Sequence, residues 1–597
     1  MFAERLASLP ETLGDFRPVP TAADRPAWLA LPGDVRAGLV AAGEAALALA
    51  YPALPAALYL DYTQTGNRTR FEAAYFARRR RLNALVLAEC VEGRGRFLPG
   101  IVDGVRLLCE EAGWQLPAHN ALVRNGPRLP LPDTEAPVID LFAAETGAQL
   151  AWLAALLGTE LGAVAPQLVA RIDRELERRL FRPYRTRHFW WMGNGDEPMN
   201  NWTAWCTQNV LLAAFSRPTS QELRRDIVHR AARSLDAFVK DYGDDGACEE
   251  GVLYYRHAAL CLFGAMQVLD AVAPGAFAPL WAAPKLRNMA EYILAMHVAG
   301  PRYFNFADCP AVVERCGARE FLFGRAVGSA ALAAFAAADW QHEARADLPD
   351  EINLFYRAQA AFTADALAKH RPVPARPRDT VLPSVGIFVA RDARYALAVK
   401  AGDNGDSHNH NDVGSIILYK DARPLLIDVG VESYTARTFS PQRYEIWTMQ
   451  SAFHNLPTFG GVMQRDGAAF AARAVETAFD AATARIEMDI AGAYPEAAGL
   501  RSYRRTVTLE RGHRVTIADR HEGSRAAELS LMLAERPVLE AARIVLPDFA
   551  SIALAGAGAV RLEEIAVDDP RLRASWPARL YRVLVPLAGA DLRLTIE

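Results

Sequence analysis

Little in this chain points to a disulfide-stapled, membrane-spanning or nucleic-acid-binding protein. Its 597 residues hold seven cysteines, Cys90, Cys109, Cys206, Cys248, Cys261, Cys309 and Cys316, an odd number with no CxxC pair and no zinc-finger spacing. Such a set builds no disulfide framework. No uninterrupted apolar run reaches the roughly 18 residues of a spanning helix. The N-terminus, Met1-Phe2-Ala3-Glu4-Arg5, lacks a basic segment followed by an apolar one. The sequence as it stands therefore reads as cytoplasmic, or as periplasmic or secreted if a leader has been trimmed. Excess positive charge is missing too: the net charge is -4, where a nucleic-acid binder would show a basic domain or stripe. The only basic run, Arg78-Arg79-Arg80-Arg81, reads as a solvated helix face, with an anionic ligand as the alternative. Neither a nucleic acid nor a membrane is an expected partner.

What is present is an ordinary globular composition, 51% hydrophobic and 23% charged, in a chain too long for one core. Two textures divide it. To about residue 370 the segments 35–50, 71–90, 149–156, 165–180, 220–242, 256–271, 285–298 and 320–338 are rich in Ala, Leu and Arg, with apolar residues at helical spacing. Successive helical hairpins of similar size predict an incomplete (α/α) toroid over 1–370. A proline-rich linker follows at 371–380. From 381 to 597 short runs of β-branched and aromatic residues, such as 385–390, 395–400, 415–419, 424–429, 503–509, 514–519 and 592–597, alternate with turns like Lys420-Asp421-Ala422-Arg423. They predict an antiparallel β-sandwich. The expected fold is multidomain α+β, with a ligand cleft where toroid and sandwich meet.

The densest chemistry lies in Ser407-His408-Asn409-His410-Asn411-Asp412, read with Asp428 and His454. In an extended segment His408 and His410 would point to one face and could serve one centre. Two imidazoles and a carboxylate make a plausible open coordination sphere for Zn²⁺ or Mn²⁺; the plainer reading is a polar strand end. In the helical half, Trp190-Trp191-Met192-Gly193-Asn194-Gly195-Asp196-Glu197-Pro198-Met199-Asn200-Asn201-Trp202 interleaves aromatic faces with amides. Such faces stack on sugar rings while amides bind hydroxyls and carboxylates; alternatively Asn200 is a helix N-cap and the tryptophans are core. A third cluster runs from Gly243-Asp244-Asp245-Gly246 through Glu249-Glu250-Gly251 to Tyr254-Tyr255-Arg256-His257. It places phenols beside a cation able to lower a phenol pKa.

Taken in order with Trp114-Gln115-Leu116-Pro117-Ala118-His119, these motifs resemble the heparinase II/III-like polysaccharide lyases over nearly the whole chain, and within them the broad-spectrum glycosaminoglycan lyases, some of which act on alginate. The resemblance implies cleavage on the C4 side of a uronic acid by β-elimination. That chemistry needs a donor that neutralises the carboxylate, a base at C5 and an acid for the leaving O4. By resemblance Asn201 binds the carboxylate, with Asn200 as the register alternative, Tyr254 is the acid and a possible base, and His408 is the second base. Tyr255 is the fallback should the register slip. Trp202, His119, Glu250, Tyr434 and Arg79 complete the expected substrate-binding set. One divalent metal, Zn²⁺ or Mn²⁺ in a structural role, is expected on His410, Asp428 and His454. The expected partner is an anionic uronic-acid polysaccharide or oligosaccharide, taken by a monomer or homodimer. Two other classes compete: a hydrolase on a helical toroid using paired carboxylates from Asp196, Glu197, Asp244, Asp245, Glu249 and Glu250, and a non-catalytic carbohydrate binder.

Overall fold

The computed structural model describes every residue except 125, 343–351 and 372–375, so the middle of the expected linker lies outside the described residues. The chain divides into two compact units. The first comprises Met1–Tyr242, Arg256–Ala290 and Arg315–Pro374; the second comprises Gly243–Tyr255, Glu291–Glu314 and Ala375–Glu597. Two short pieces of the helical half thus group with the C-terminal strands, and both carry residues of the site described below.

The first unit is built from helices packed against their neighbours in sequence. Gly33–Leu47 lies on Thr69–Glu92, and a Cβ at Gly43 would sit 2.2 Å from the Ala88 Cβ, so only glycine allows that approach. Asn201–Ser216 is enclosed by Leu141–Val164, Gln221–Asp241 and Ala259–Val272. Because that helix is buried all round, it carries no stripe of apolar spacing, and the periodicity does not reveal it. Expected segment 320–338 is two helices, Ala318–Ala326 and Ala330–Gln341. Gly328 at φ 70° and the Ser329 N-cap, whose hydroxyl accepts from the Leu332 amide at 3.2 Å, break it.

Leu141–Val164 and the segment Val252–Val272 are long and apolar enough to cross a membrane by composition, yet 83% and 72% of their windows are buried, as in core helices. Arg78 and Arg79 correct the surface reading of the arginine run. Both are buried; Arg79, 1% exposed, bonds Glu111 at 2.8 Å and Thr146 at 2.8 Å, with its guanidinium 3.2 Å from the Tyr75 ring centroid. Arg79 is committed to this internal network and is not presented to a ligand.

In the second unit all strand pairs are antiparallel. A five-stranded sheet runs Asp379–Leu382, Ile387–Arg391, Tyr395–Lys400, Ile416–Lys420, Arg423–Leu426 in spatial order. The last two join through a two-residue turn in which Asp421 and Ala422 both take positive φ, 47° and 63°, the twist that suits a tight hairpin. Four- and eight-stranded sheets follow, and one continuous apolar core carries residues of all three. Leu500–Glu510 alternates, with Tyr503, Val507 and Leu509 inward. Arg505 shares that face, 1% exposed, and pairs with Asp519 opposite it at 2.8 Å. Its remaining donors reach the carbonyls of Gly414 and Asn455, and the Asn455 amide in turn donates to those of Ile416 and Ile427. A buried ion pair with further hydrogen bonds is costly to break, and this one fixes the backbone beside His454 and Asp428.

Candidate active site

Asp308 is the hub of the second unit's polar cluster. It follows Arg302–Tyr303 in an irregular segment where Ala307 takes φ 59°, and it is fully buried. Its Oδ2 lies 2.7 Å from His408 Nδ1, 3.2 Å from Arg443 Nη1 and 3.3 Å from Tyr434 Oη. Its Oδ1 lies 2.6 Å from Arg443 Nη2 and 3.2 Å from His410 Nε2. Burial would raise its pKa, but the two histidine hydrogen bonds and the Arg443 charge hold it well below the usual carboxylate range.

His408 and His410 do not share a strand face. They sit in a loop where His408 adopts φ 58°, a left-handed conformation uncommon for a side chain other than Gly or Asn. Arg443 holds it by donating to the carbonyls of His408, at 3.0 Å, and Asn409, at 3.1 Å. The two imidazoles converge because Asp308 grips both, which the strand alternation could not foresee. With Nδ1–H donated to a buried carboxylate, the His408 Nε2 is left as the proton-accepting atom. It lies 3.7 Å from the Glu250 carboxylate, which is 3% exposed, and Glu250 favours the charged ring. Burial opposes that charge, but the Asp308 bond and Glu250 outweigh it and raise the His408 pKa.

Tyr254 stands in the short helix Val252–Tyr255, entered through Gly251 at φ 86°, where a Cβ would fall 2.7 Å from the Phe306 carbonyl oxygen. Its ring centroid is 4.5 Å from that of His408 and its hydroxyl 2.8 Å from the Tyr434 hydroxyl. Tyr255 points elsewhere: it is fully buried and packs towards Tyr292. The expectation that a neighbouring cation lowers the phenol pKa fails. Arg256 turns to the carbonyl of Arg315 and the carboxylate of Glu320, and burial together with Tyr434 and Asp308 raises Tyr254 well above 10. A phenol so placed holds its proton until a developing anion takes it, which suits a general acid.

His410, Asp428 and His454 bring one ligand atom each within 4.8 Å of one another, all buried. Asp428 Oδ1 accepts from the Gly430 amide at 2.7 Å, leaving Oδ2, which stands 3.2 Å from His454 Nδ1. Asp428 Oδ2, His410 Nδ1 and both His454 ring nitrogens make no hydrogen bond among the described residues. Buried polar atoms left in this way are costly, and two imidazoles with one carboxylate are the donor set of a divalent cation such as Zn²⁺ or Mn²⁺. His410 meanwhile bonds Asp308 through Nε2, the outer-carboxylate arrangement that orients a metal-ligating histidine.

The first unit carries the amide and aromatic cluster. Asn200 is the N-cap of Asn201–Ser216, its side chain accepting from the Trp202 amide at 3.1 Å, so its oxygen is spent. No side-chain hydrogen bond engages Asn201 among the described residues. The cap uses only the Asn200 oxygen, so both asparagines keep the side-chain N–H donors that a carboxylate would take. His119 donates from Nδ1 to the Asp140 carboxylate at 2.7 Å, stacks on Phe142 and meets Trp202 edge-on at 4.7 Å; Trp202 meets Trp190 at 5.1 Å. One turn after Asn201, Trp205 stacks on His257 at 4.2 Å and 10°. Asp196 and Glu197 are exposed beside this cluster, whereas Asp245, in the second unit, accepts from the amide and hydroxyl of Ser384.

Asp308, Arg443 and Arg571 were not singled out from sequence. No recognisable motif surrounds Asp308 or Arg443 in the sequence; only the fold reveals them.

Residues 374–572 match the family model described as heparinase II/III-like, C-terminal. A search among curated proteins finds no match by sequence. By structure, the chain is similar over its whole length to a crystal structure of heparinase III, covering 88% of that chain at TM-score 0.65 and 13% identity. A heparan sulfate lyase mutant from Pedobacter heparinus matches 88% of this chain and 76% of its own at TM-score 0.56 and 16% identity. A Streptomyces coelicolor chondroitin AC lyase solved with chondroitin sulphate matches 96% and 82% at TM-score 0.53 and 14% identity. The chain thus carries a heparinase II/III-like C-terminal region on a fold shared with these proteins, helical first and antiparallel β after.

Proposed function

We propose that this chain is a polysaccharide lyase that cleaves uronic-acid-containing polysaccharides by β-elimination to unsaturated uronate products. The observation that carries the reading is the Tyr254 and His408 pair: a phenol that keeps its proton beside an imidazole whose accepting nitrogen is fixed by Asp308. The C5 proton of a uronate is only weakly acidic until its carboxylate is neutralised, the role of the Asn201 amide. His408 Nε2 takes that proton and Tyr254 gives its own to the leaving O4. Tyr254 alone serves both steps where the epimer brings the C5 proton to its face. Glu250 stabilises the ring charged by the proton, and Trp202 with His119 offers faces for a sugar. A divalent ion on His410, Asp428 and His454 supplies rigidity and charge. His410 passes that rigidity to Asp308 and so to His408. Heparan sulfate, chondroitin sulfate, hyaluronan and alginate are the candidate polymers.

The test is a panel of those four polymers followed by near-ultraviolet absorbance and by reducing ends. Elimination produces both signals. Reducing ends without absorbance would replace this reading with hydrolysis, and neither signal, with binding retained, would replace it with a sugar-binding protein.

A further inference from the structure

Arg571, in the second unit, is a cation beside the phenols whose placement the proposed chemistry has not used. Arg571 lies in the turn Pro570–Arg573, capped by Asp569, whose Oδ1 accepts from the amides of Arg571, at 2.9 Å, and Leu572, at 3.1 Å. The other oxygen of Asp569 accepts from the Ser433 amide at 3.0 Å. One carboxylate thus ties the segment bearing Arg571 to the segment bearing Tyr434. Trp576 adds a second tie through its indole N–H to the Val429 carbonyl at 2.8 Å, within a small apolar cluster that also includes Leu572. Held this way, the guanidinium lies 4.2 Å from the centre of the Tyr434 ring, with Nη2 3.4 Å from the Tyr434 hydroxyl and 2.9 Å from the Asp308 carbonyl.

We propose that Arg571 is a positioning residue which, acting through Tyr434, carries the negative charge left on the Tyr254 and Tyr434 phenol pair when that pair gives up a proton. The proposal rests on the reading of Tyr254 as general acid. In the resting chain Tyr434 donates its single proton towards Asp308 Oδ2, at 3.3 Å, so its oxygen accepts from Arg571 and from Tyr254. When the Tyr254 O–H bond breaks and an O–H bond forms on the leaving oxygen, the electron pair stays on Tyr254 Oη. Tyr434 then passes its proton across the 2.8 Å contact, and the pair of electrons settles on Tyr434 Oη beside the guanidinium. Water returns one proton to Tyr434 while the base releases the C5 proton to water, so the cycle closes. Without a cation, that charge would face Asp308 and Glu250 in a buried setting, both of which disfavour it. Arg443 is already bound to both oxygens of Asp308, which leaves Arg571 to oppose the phenolate.

The experiment compares Arg571→Gln, Arg571→Lys, Tyr434→Phe and the Arg571→Gln/Tyr434→Phe double variant in the full chain. In Arg571→Gln we expect kcat to fall on the order of tenfold with KM little changed, and partial recovery in Arg571→Lys. The double variant should fall no further than Tyr434→Phe alone, since the two act through one oxygen. Tyrosinate absorbance, titrated in the same proteins, should show the high-pH step that disappears in Tyr434→Phe moved further up in Arg571→Gln. A raised KM with unchanged kcat would make Arg571 a substrate contact, and additive losses in the double variant would remove Tyr434 as its intermediary; either overturns the proposal. Equal losses in Gln and Lys variants that track a lowered melting temperature would make the residue purely structural. If no polymer is cleaved, the lyase reading fails, while the tyrosinate titration still decides whether Arg571 governs the phenol pair.

Discussion

The two polar clusters of this molecule are built on opposite plans. Around Asp308 every side chain is tied to another: His408, His410, Arg443, Tyr434, Arg571 and Tyr254 form one connected network in which a change at one atom is felt at the next. Around Asn201 the partners are mostly faces, Trp190, Trp202, His119 and Phe142, meeting edge-on, tilted or stacked with few hydrogen bonds. A network of that kind is preorganised to hold and move protons, whereas a row of rings is suited to lie against sugars whose hydroxyls make their own bonds. The difference predicts which variants should lose turnover and which should lose binding.

The largest effect should come from Tyr254→Phe, which keeps the ring packed against His408 and removes only the proton. Turnover should fall by about 10²- to 10⁴-fold with the melting temperature held. Tyr255→Phe, in the core, should leave turnover nearly intact; the reverse result would move the acid by one residue. Next, Asn201→Ala should cost on the order of 10²-fold in kcat, as removal of a donor to a developing anion does, with a smaller change in KM. Trp202→Ala should do the opposite. If Asn201→Ala raised KM alone, the two clusters would not differ as described.

The metal site should separate two neighbours on one loop. His410→Ala, Asp428→Ala and His454→Ala should each abolish bound metal by elemental analysis, lower the melting temperature through lost linkage with the folded state, and reduce activity indirectly. His408→Ala should keep both metal and melting temperature and still lose activity on at least one uronate epimer. Metal lost in His408→Ala would move it from base to ligand. Chelation of the native chain should reproduce the ligand variants and not His408→Ala.

The two plans also differed in how far the sequence disclosed them. Alternation and turn chemistry were enough to place Tyr395–Lys400 and the hairpin at Asp421 and Ala422, because each is set by a few adjacent residues. The histidine motif was legible as a set of residue types, and its three metal ligands do converge. Its geometry was not, since His408 and His410 are gathered by Asp308, about a hundred residues earlier in the chain, and not by a shared strand face. Arg79 misled for the opposite reason: a charge run says nothing about which charges meet Glu111 inside. Asn201–Ser216 was hidden because complete burial erases helical periodicity.

The smallest effect probes the ring row. His257 lies against Trp205, and its pKa is pushed down to about 3, by burial first and then by the charges of Arg319 and Arg256. Its ordinary value is about 6.5, so as pH falls the unfolded chain takes up this proton before the folded one does. The stability tied to the neutral ring is complete above pH 6.5 and is lost progressively as the pH drops towards 3. His257→Phe keeps a flat ring on Trp205 and removes the titration. Its melting temperature should therefore decline less than that of the native chain between about pH 6.5 and pH 4, the window set by the ordinary and lowered values, while the two agree at pH 8 to within the small cost of repacking. Parallel declines would mean that His257 titrates normally and that the row is open enough to water to solvate a charged imidazole, in which case it would resemble the Asp308 network more than a dry face for sugars.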